Sequence, residues 1–377
     1  MIRKTIAPRE NWKQITEKQG LIYNTLDGGT PYWDESAYYE FESSEIDAIE
    51  KATYDLHQLY LDAAQYIIDH DWFDKLGVPT LVIPLIKAAW EQEPPALYGR
   101  FDLGYDGTHI KLLEYNADTP TALIEASVIQ WFWLQDMFPA SDQFNSIHDK
   151  LIAKWVDLKD YVDSKIYFAH LNNNEDFMTV AYLAETAQNA GLGTKLIIME
   201  DIGWDEIKKF FVDLDNNQMK TIFKLYPYEW LVKEQFAGSF RDSINITQWI
   251  EPVWKMMWSN KVILALLWEL NPNHPNLLPT YFTSQKFTGN YVKKPILSRE
   301  GANIDIIGDE HLIAFTRGDY GEEGYVFQEL FKLPEFDGNY PVIGSWMIDQ
   351  EAAGIGIRES KTLITDNKSR FVPHLFK

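Results

Sequence analysis

At 377 residues the chain is long enough to fold around a large core and to leave a cleft between packed units. Hydrophobic residues make up 46% of it and aromatics 15%, which excludes a disordered chain. Its 34 Lys and Arg against 56 Asp and Glu give a net charge of -22, so nucleic acid and anionic membranes are not expected as partners, whereas a cationic small ligand suits the field.

The opening MIRKTIAPRENWKQ lacks the apolar run and cleavage site of a signal peptide. No later stretch approaches the about 18 apolar residues that span a bilayer. There is no cysteine, so disulfides, thiolate catalysis and Cys-based zinc sites are excluded, and a cytoplasmic location is expected. From Ser44 a helix is signalled: Ser44 can cap it, Asp47 follows, and Ile49, Ala52, Leu56, Leu59, Ala63 and Ile67 repeat at helical spacing.

The stretch YGRFDLGYDGTHIKLLEYN reads as two strands around a turn, with Arg100 and Asp102 on one face of the first and Glu114 and Asn116 on one face of the second. A two-residue Asp106-Gly107 loop would oppose these faces, and a three-residue loop pairing Gly104 with Thr108 would bring them together. If they meet, two carboxylates and an amide suit a hard cation such as Mg²⁺ on phosphates, with a guanidinium for a phosphoryl or carboxylate group. The bland alternative is an exposed strand face carrying an ion pair. In ADTPTALIEASVIQWFWLQD, Thr119 suits a helix N-cap and Pro120 the first helical position, with an apolar helix over 123 to 133. Its N-terminal amides would face an anion close to the carboxylates.

The segment from Ser164 to Glu200 reads as strand, polar loop, helix and strand, a βαβ unit. Ile166–His170 and Leu196–Met199 form the strands, and Val180, Leu183, Ala184 and Ala187 the buried helix face. The loop 171–176 would lie at the carboxyl end of its strand, where open α/β sheets bind ligands, although Asn/Asp-rich loops are also ordinary turns. Strands then dominate: YVKKPILSREGANIDII, YVFQELF and GIGIRESKTLITD. The class is α/β or mixed α+β with more than one sheet. No linker or repeat divides it, so subdomains are expected to be interleaved within a single unit.

Several stretches together resemble one family: YGRFD, KLLEYNADTPT, SNKVILALLWEL, NPNHPNLLPT, VKKPILSREGAN, VFQEL, IGSW, GIGIRE and SRFVPH, in order from Tyr98 to the C-terminus. The chain resembles the synthetase domain of glutathionylspermidine synthase, an ATP-grasp ligase. The resemblance implies an ATP- and Mg²⁺-dependent carboxylate-amine ligase that forms an amide through an acyl phosphate, with a small peptide or amino acid and an amine, including polyamines, as substrates. It also implies a Rossmann-like substrate subdomain and an antiparallel-sheet lid subdomain, with approximate boundaries 1–160, 161–240 and 241–377.

By the same resemblance, Asp102, Glu114 and Asn116 would hold Mg²⁺, and Arg100 would stabilise charge on the transferring phosphoryl group. Lys261 and Lys294 would meet the nucleotide phosphates, Arg299 would reach in from a lid loop at Ser298 to Asn303, and Arg358 would be a second phosphate-directed arginine. Gln328, Glu329 and Leu330 would form the hinge beside adenine. Thr119 and Thr121 would contact the peptide, and Glu175 and Asp176 its free amine. Taken one by one, Lys261 could be a snorkelling helix residue, 298–303 an ordinary loop and Arg358 a strand ion pair. Bifunctional members carry an amidase domain with a catalytic cysteine, which is not expected here. The metal ligands precede the lysines, an order this branch shares. A non-catalytic ATP- or peptide-binding protein of the same fold is the competing class, and a two-carboxylate hydrolase would leave the lysines unexplained.

Overall fold

The helix expected from Ser44 spans Ser43–Asp69 and buries Ile49, Ala52, Leu56, Ala63 and Ile67 along one face. Its cap is Glu42 rather than Ser44: a reciprocal capping box joins Glu42 to Glu45, and the Glu42 amide donates to Glu45 Oε2 at 2.9 Å. A tertiary contact explains the shift. The Ser43 amide and hydroxyl both donate to the Lys377 carbonyl, so the far end of the chain holds the helix start.

The computed structural model describes residues 1–26, 28–366 and 368–377. Its architecture is mixed α/β with several sheets, as the order of the elements predicts. Lys165–His170, Gly193–Ile198, Thr221–Lys224 and Gln248–Ile250 pair in parallel, and the helix Asn174–Asn189 makes the first crossover. The faces named from periodicity are buried, with Val180, Leu183 and Ala187 at 0–3% exposure together with Ala184. The strand buried on both sides, Ile166 to His170, reads as a continuous apolar run for that reason.

Two five-stranded antiparallel sheets complete the working part. One orders Arg370–Val372, Glu351–Ser360, Tyr340–Ile348, Tyr98–Tyr105 and Ile110–Asn116. The other orders Thr280–Tyr281, Tyr325–Glu329, Tyr291–Pro295, Asp305–Gly308 and His311–Phe315. The first sheet is built from segments more than two hundred residues apart, so its hairpin is fixed by the C-terminal strands rather than by its own turn. Among the described residues no helix is long and apolar enough to cross a membrane.

Candidate active site

The hairpin loop is neither of the two expected. Tyr105 pairs with Ile110 around a four-residue loop in which Asp106 Oδ1 accepts the amides of Thr108 and His109. That register alone would set Asp102 against Leu113. A bulge shifts the pairing between Asp102 and Leu103, so Asp102 lies opposite Glu114 and Arg100 opposite Asn116. Leu112 therefore faces the core at 1% exposure while Glu114 and Asn116, two and four residues on, face the cleft. The bulge also frees carbonyls: Lys294 Nζ donates to the Leu113 oxygen at 2.9 Å and Gln328 Nε2 to the Leu112 oxygen at 3.2 Å. The irregularity thus joins the hairpin to the second sheet.

Of the metal, nucleotide, catalytic and substrate residues expected above, all but Lys261 line one cleft of about 500 Å³, walled by the two antiparallel sheets and by residues 173–176 and Glu229 of the parallel-sheet unit. Arg100 donates from Nε to Asp102 at 2.9 Å and from Nη1 to the Thr121 carbonyl at 2.7 Å. It lies flat because residue 344 is glycine; a Cβ there would come within 2.9 Å of Arg100 Cδ. Arg358 Nη2 reaches the other oxygen of Asp102 at 2.7 Å. Glu114 meets Lys261 Nζ at 3.2 Å. Burial opposes the charge on Glu114, but Lys261 and Lys294 outweigh it and hold the carboxyl at about 2. Burial likewise pulls Lys294 down to about 8, only partly offset by Glu114.

Lys261 is not a snorkelling residue. It precedes the helix Val262–Leu270, is 6% exposed, and joins Glu114 to the 298–303 loop by donating to the Ser298 carbonyl at 2.9 Å. Arg299, in the expected lid loop, donates to Thr119 Oγ1 at 2.7 Å and lies 5.8 Å from the Trp230 ring centroid. Gly301 packs against the 364–365 segment, where a Cβ would stand 2.4 Å from the Thr365 carbonyl. The Ser298 hydroxyl is buried in the cleft wall with no hydrogen-bond partner among the described residues. At the expected hinge the Glu329 and Leu330 amides donate to Pro279 and Asn290, and the Gln328 carboxamide spans Lys294 and Leu112. Gln328 is therefore a strut for Lys294.

Thr119 and Pro120 do not start the following helix. Ala122 takes a φ of 66°, helical geometry begins at residue 123, and a π-turn occupies Glu125–Ile129. The reason lies in Asp118, which accepts from buried Lys224 Nζ at 2.6 Å and from the Tyr228 amide at 3.0 Å. This pins the segment from behind and leaves Thr119 and Thr121 to the two arginines. Glu175 and Asp176 fall in the first turn of the helix Asn174–Asn189, beyond the Asn173 cap, rather than in a loop. Burial, with Glu175 alongside, raises the Asp176 carboxyl.

Sequence reasoning missed Tyr32, Glu229, Ser259 and Asp366, which line the same cleft. Glu229 follows the Thr221–Lys224 strand at the carboxyl end of the parallel sheet, the position rule that marked residues 171–176. Tyr32 sits in GGTPYWD, a turn-rich stretch with no periodicity to read.

The donor set fits a magnesium ion carried on phosphates. Among the described residues no three His, Asp or Glu side chains cluster closely enough to hold a metal alone. Two carboxylates and one amide oxygen suit an ion that keeps most of its shell for water and substrate oxygens. The unpartnered Ser298 hydroxyl and the cations around it suit the phosphates themselves.

Comparison with known proteins shows the family. Residues 3–377 match the family described as glutathionylspermidine synthase preATP-grasp. A Haemophilus influenzae protein provisionally named an acid–amine ligase is 44% identical over 364 residues, 92% of each chain. Trypanothione synthetase of Crithidia fasciculata is 28% identical over 98% of this chain and 62% of its own length. The bifunctional glutathionylspermidine synthetase/amidase of Escherichia coli is 24% identical over 96% of this chain and 63% of its own length. The chain thus spans less than two thirds of those last two. It belongs to the glutathionylspermidine synthase preATP-grasp family.

Proposed function

We propose that the protein is an ATP- and Mg²⁺-dependent ligase that joins the carboxylate of a small peptide or amino acid to an amine through an acyl phosphate. The observation that carries this is the convergence of Arg100, Lys294, Arg299 and Arg358 on a cleft they share with Asp102, Glu114 and Asn116. In a chain of charge -22 four basic groups gathered in one cleft, beside carboxylates that suit a metal ion, fit an anionic ligand that carries its own cation. The relatives named acid–amine ligase, trypanothione synthetase and glutathionylspermidine synthetase support the carboxylate-amine class.

In this reading Asp102, Glu114 and Asn116 would hold Mg²⁺, which would neutralise phosphate charge when bound. Lys294 binds phosphate oxygens, Lys261 adds its charge from behind Glu114, and Arg358 and Arg299 close on the phosphates from the sheet and the lid. Arg100 stabilises the charge that develops on the transferring phosphoryl group, the substrate chain lies along Thr119 and Thr121, and Glu175 and Asp176 receive a substrate ammonium. The closed lid keeps water from the acyl phosphate. Glutathione with a polyamine is the first pair to test.

The test is ADP release with Mg²⁺ across a panel of amino acids, small peptides and amines, beside an Asn116→Ala control. Stimulation by one acid–amine pair, lost in the variant, is expected. Thermal stabilisation by ATP without turnover for any pair would instead favour a binding protein.

A second expectation concerns pH. Lys294 is charged below about 8 and loses its proton above it, so nucleotide affinity should fall as pH rises through that range. Lys294→Arg should keep affinity level further into the alkaline range, because a guanidinium does not titrate there. Superimposable pH profiles from calorimetry would remove Lys294 from the phosphate site.

A further inference from the structure

Behind the cleft wall lies a carboxyl that none of the roles above uses. Glu125 is 2% exposed, begins the π-turn, and is held by Tyr32, whose hydroxyl donates to its Oε1 at 2.8 Å. Its other oxygen is buried with no hydrogen-bond partner among the described residues. A satisfied structural carboxylate would not leave one oxygen bare, and π-turns gather at functional sites. Tyr32 itself lines the cleft, with its ring 5.1 Å from that of Phe371.

Tyr32 joins Glu125 to the cleft that holds Arg100, Arg358 and Glu175. Arg100 acts electrostatically on Glu125, Arg358 on Tyr32, and Glu175 on both. Resting on the ligase reading above, we infer that Tyr32 and Glu125 form the proton-accepting pair of the amine-addition step: Tyr32 meets the incoming ammonium, and Glu125 takes the proton through it.

The incoming amine is an ammonium at neutral pH and has no lone pair to attack with. The Tyr32 oxygen accepts one N–H proton as its own proton passes to Glu125. The freed nitrogen pair forms the C–N bond, the C–O bond to phosphate breaks, and the phosphate leaves with that bonding pair and a second N–H proton. Glu125 then returns its proton to solvent. Burial, with Glu175 adding to it and Arg100 opposing it, raises the Glu125 carboxyl to about 7, so it can hold and release a proton in the working range. Glu125 is a positioning residue and Tyr32 the group that touches substrate.

The experiment compares two nucleophiles on Tyr32→Phe and Glu125→Gln, using whichever acid gives the most ADP release in the panel above. An alkylamine must be deprotonated, whereas hydroxylamine is largely uncharged at neutral pH and yields a hydroxamate. Both variants should lose about 100-fold in amide formation with the alkylamine and keep hydroxamate formation. In the wild-type protein the alkylamine rate should rise through pH of about 7, and this limb should vanish in Glu125→Gln. Equal loss with both nucleophiles, or no loss with either, overturns the inference. Tyr32→Phe keeps the ring packing, so it carries the test if Glu125→Gln melts early. A wild-type protein that makes neither ADP nor hydroxamate with any acid would sink the ligase reading itself, and the pair with it.

Discussion

Arg100→Ala is expected to lower amide-forming turnover by about 10²–10³, the usual cost of removing one preorganised donor from developing negative charge. Nε and Nη1 are committed to Asp102 and the Thr121 carbonyl, which fixes the plane of the guanidinium. The fork is further held by Trp346, whose ring centroid is 5.6 Å from Cζ. A group so constrained reorganises little when charge appears beside it. Folding should suffer less, because Asp102 keeps Arg358 as a partner. The measurement is steady-state ADP release alongside nucleotide-dependent thermal stabilisation. If stabilisation falls in proportion to turnover, Arg100 serves nucleotide binding and not the chemical step. Arg100→Lys should recover little, since an ammonium lacks the planar fork that engages two oxygens at once.

Asp102→Ala should have the opposite balance. The side chains of Arg100, Asp102 and Arg358 are 8%, 7% and 19% exposed, and one carboxylate serves both guanidinium groups. Removing it takes from two largely buried cations the carboxylate that both are bonded to and leaves Glu114 as an acidic neighbour, to be set against about 3–5 kcal/mol for a broken buried pair. Urea unfolding should show this as a clear drop in midpoint, and Mg²⁺ should no longer increase stabilisation by nucleotide. A midpoint equal to that of the wild type would show that the triad is solvated and not a buried network. Loss of nucleotide stabilisation that is the same with and without Mg²⁺ would contradict a metal role for Asp102.

Both expectations rest on a register that local rules did not provide. Alternation correctly put Arg100 with Asp102 and Glu114 with Asn116, because side chains in a strand alternate whatever the sheet does. Whether the two pairs meet depends on the loop and on the bulge opposite Asp102, and neither expected loop is present. The bulge is stabilised by Lys294 and Gln328, 181 and 216 residues further along the chain, so no window around the hairpin contains its cause. The same holds for Thr119. Its capping signal is sound in isolation, yet the Asp118 contacts with Lys224 and Tyr228 delay the helix and turn the threonines toward the arginines.

The sequence by itself determined the class of elements, the buried helix faces, the βαβ crossover and the motifs that point to the family, because these depend on periodicity and on short-range residue type. Through the family resemblance it also marked many of the charged cleft residues one at a time, though not Tyr32, Glu229, Ser259 or Asp366. Tertiary structure alone decided which of them touch: Asp102 between two arginines, Glu114 beside Lys261, Gln328 under Lys294, and Tyr32 on Glu125. Apart from Arg100 and Asp102, which are strand neighbours, each of these contacts joins residues far apart in the chain, and their energies come from burial and charge that exist only once the chain has folded.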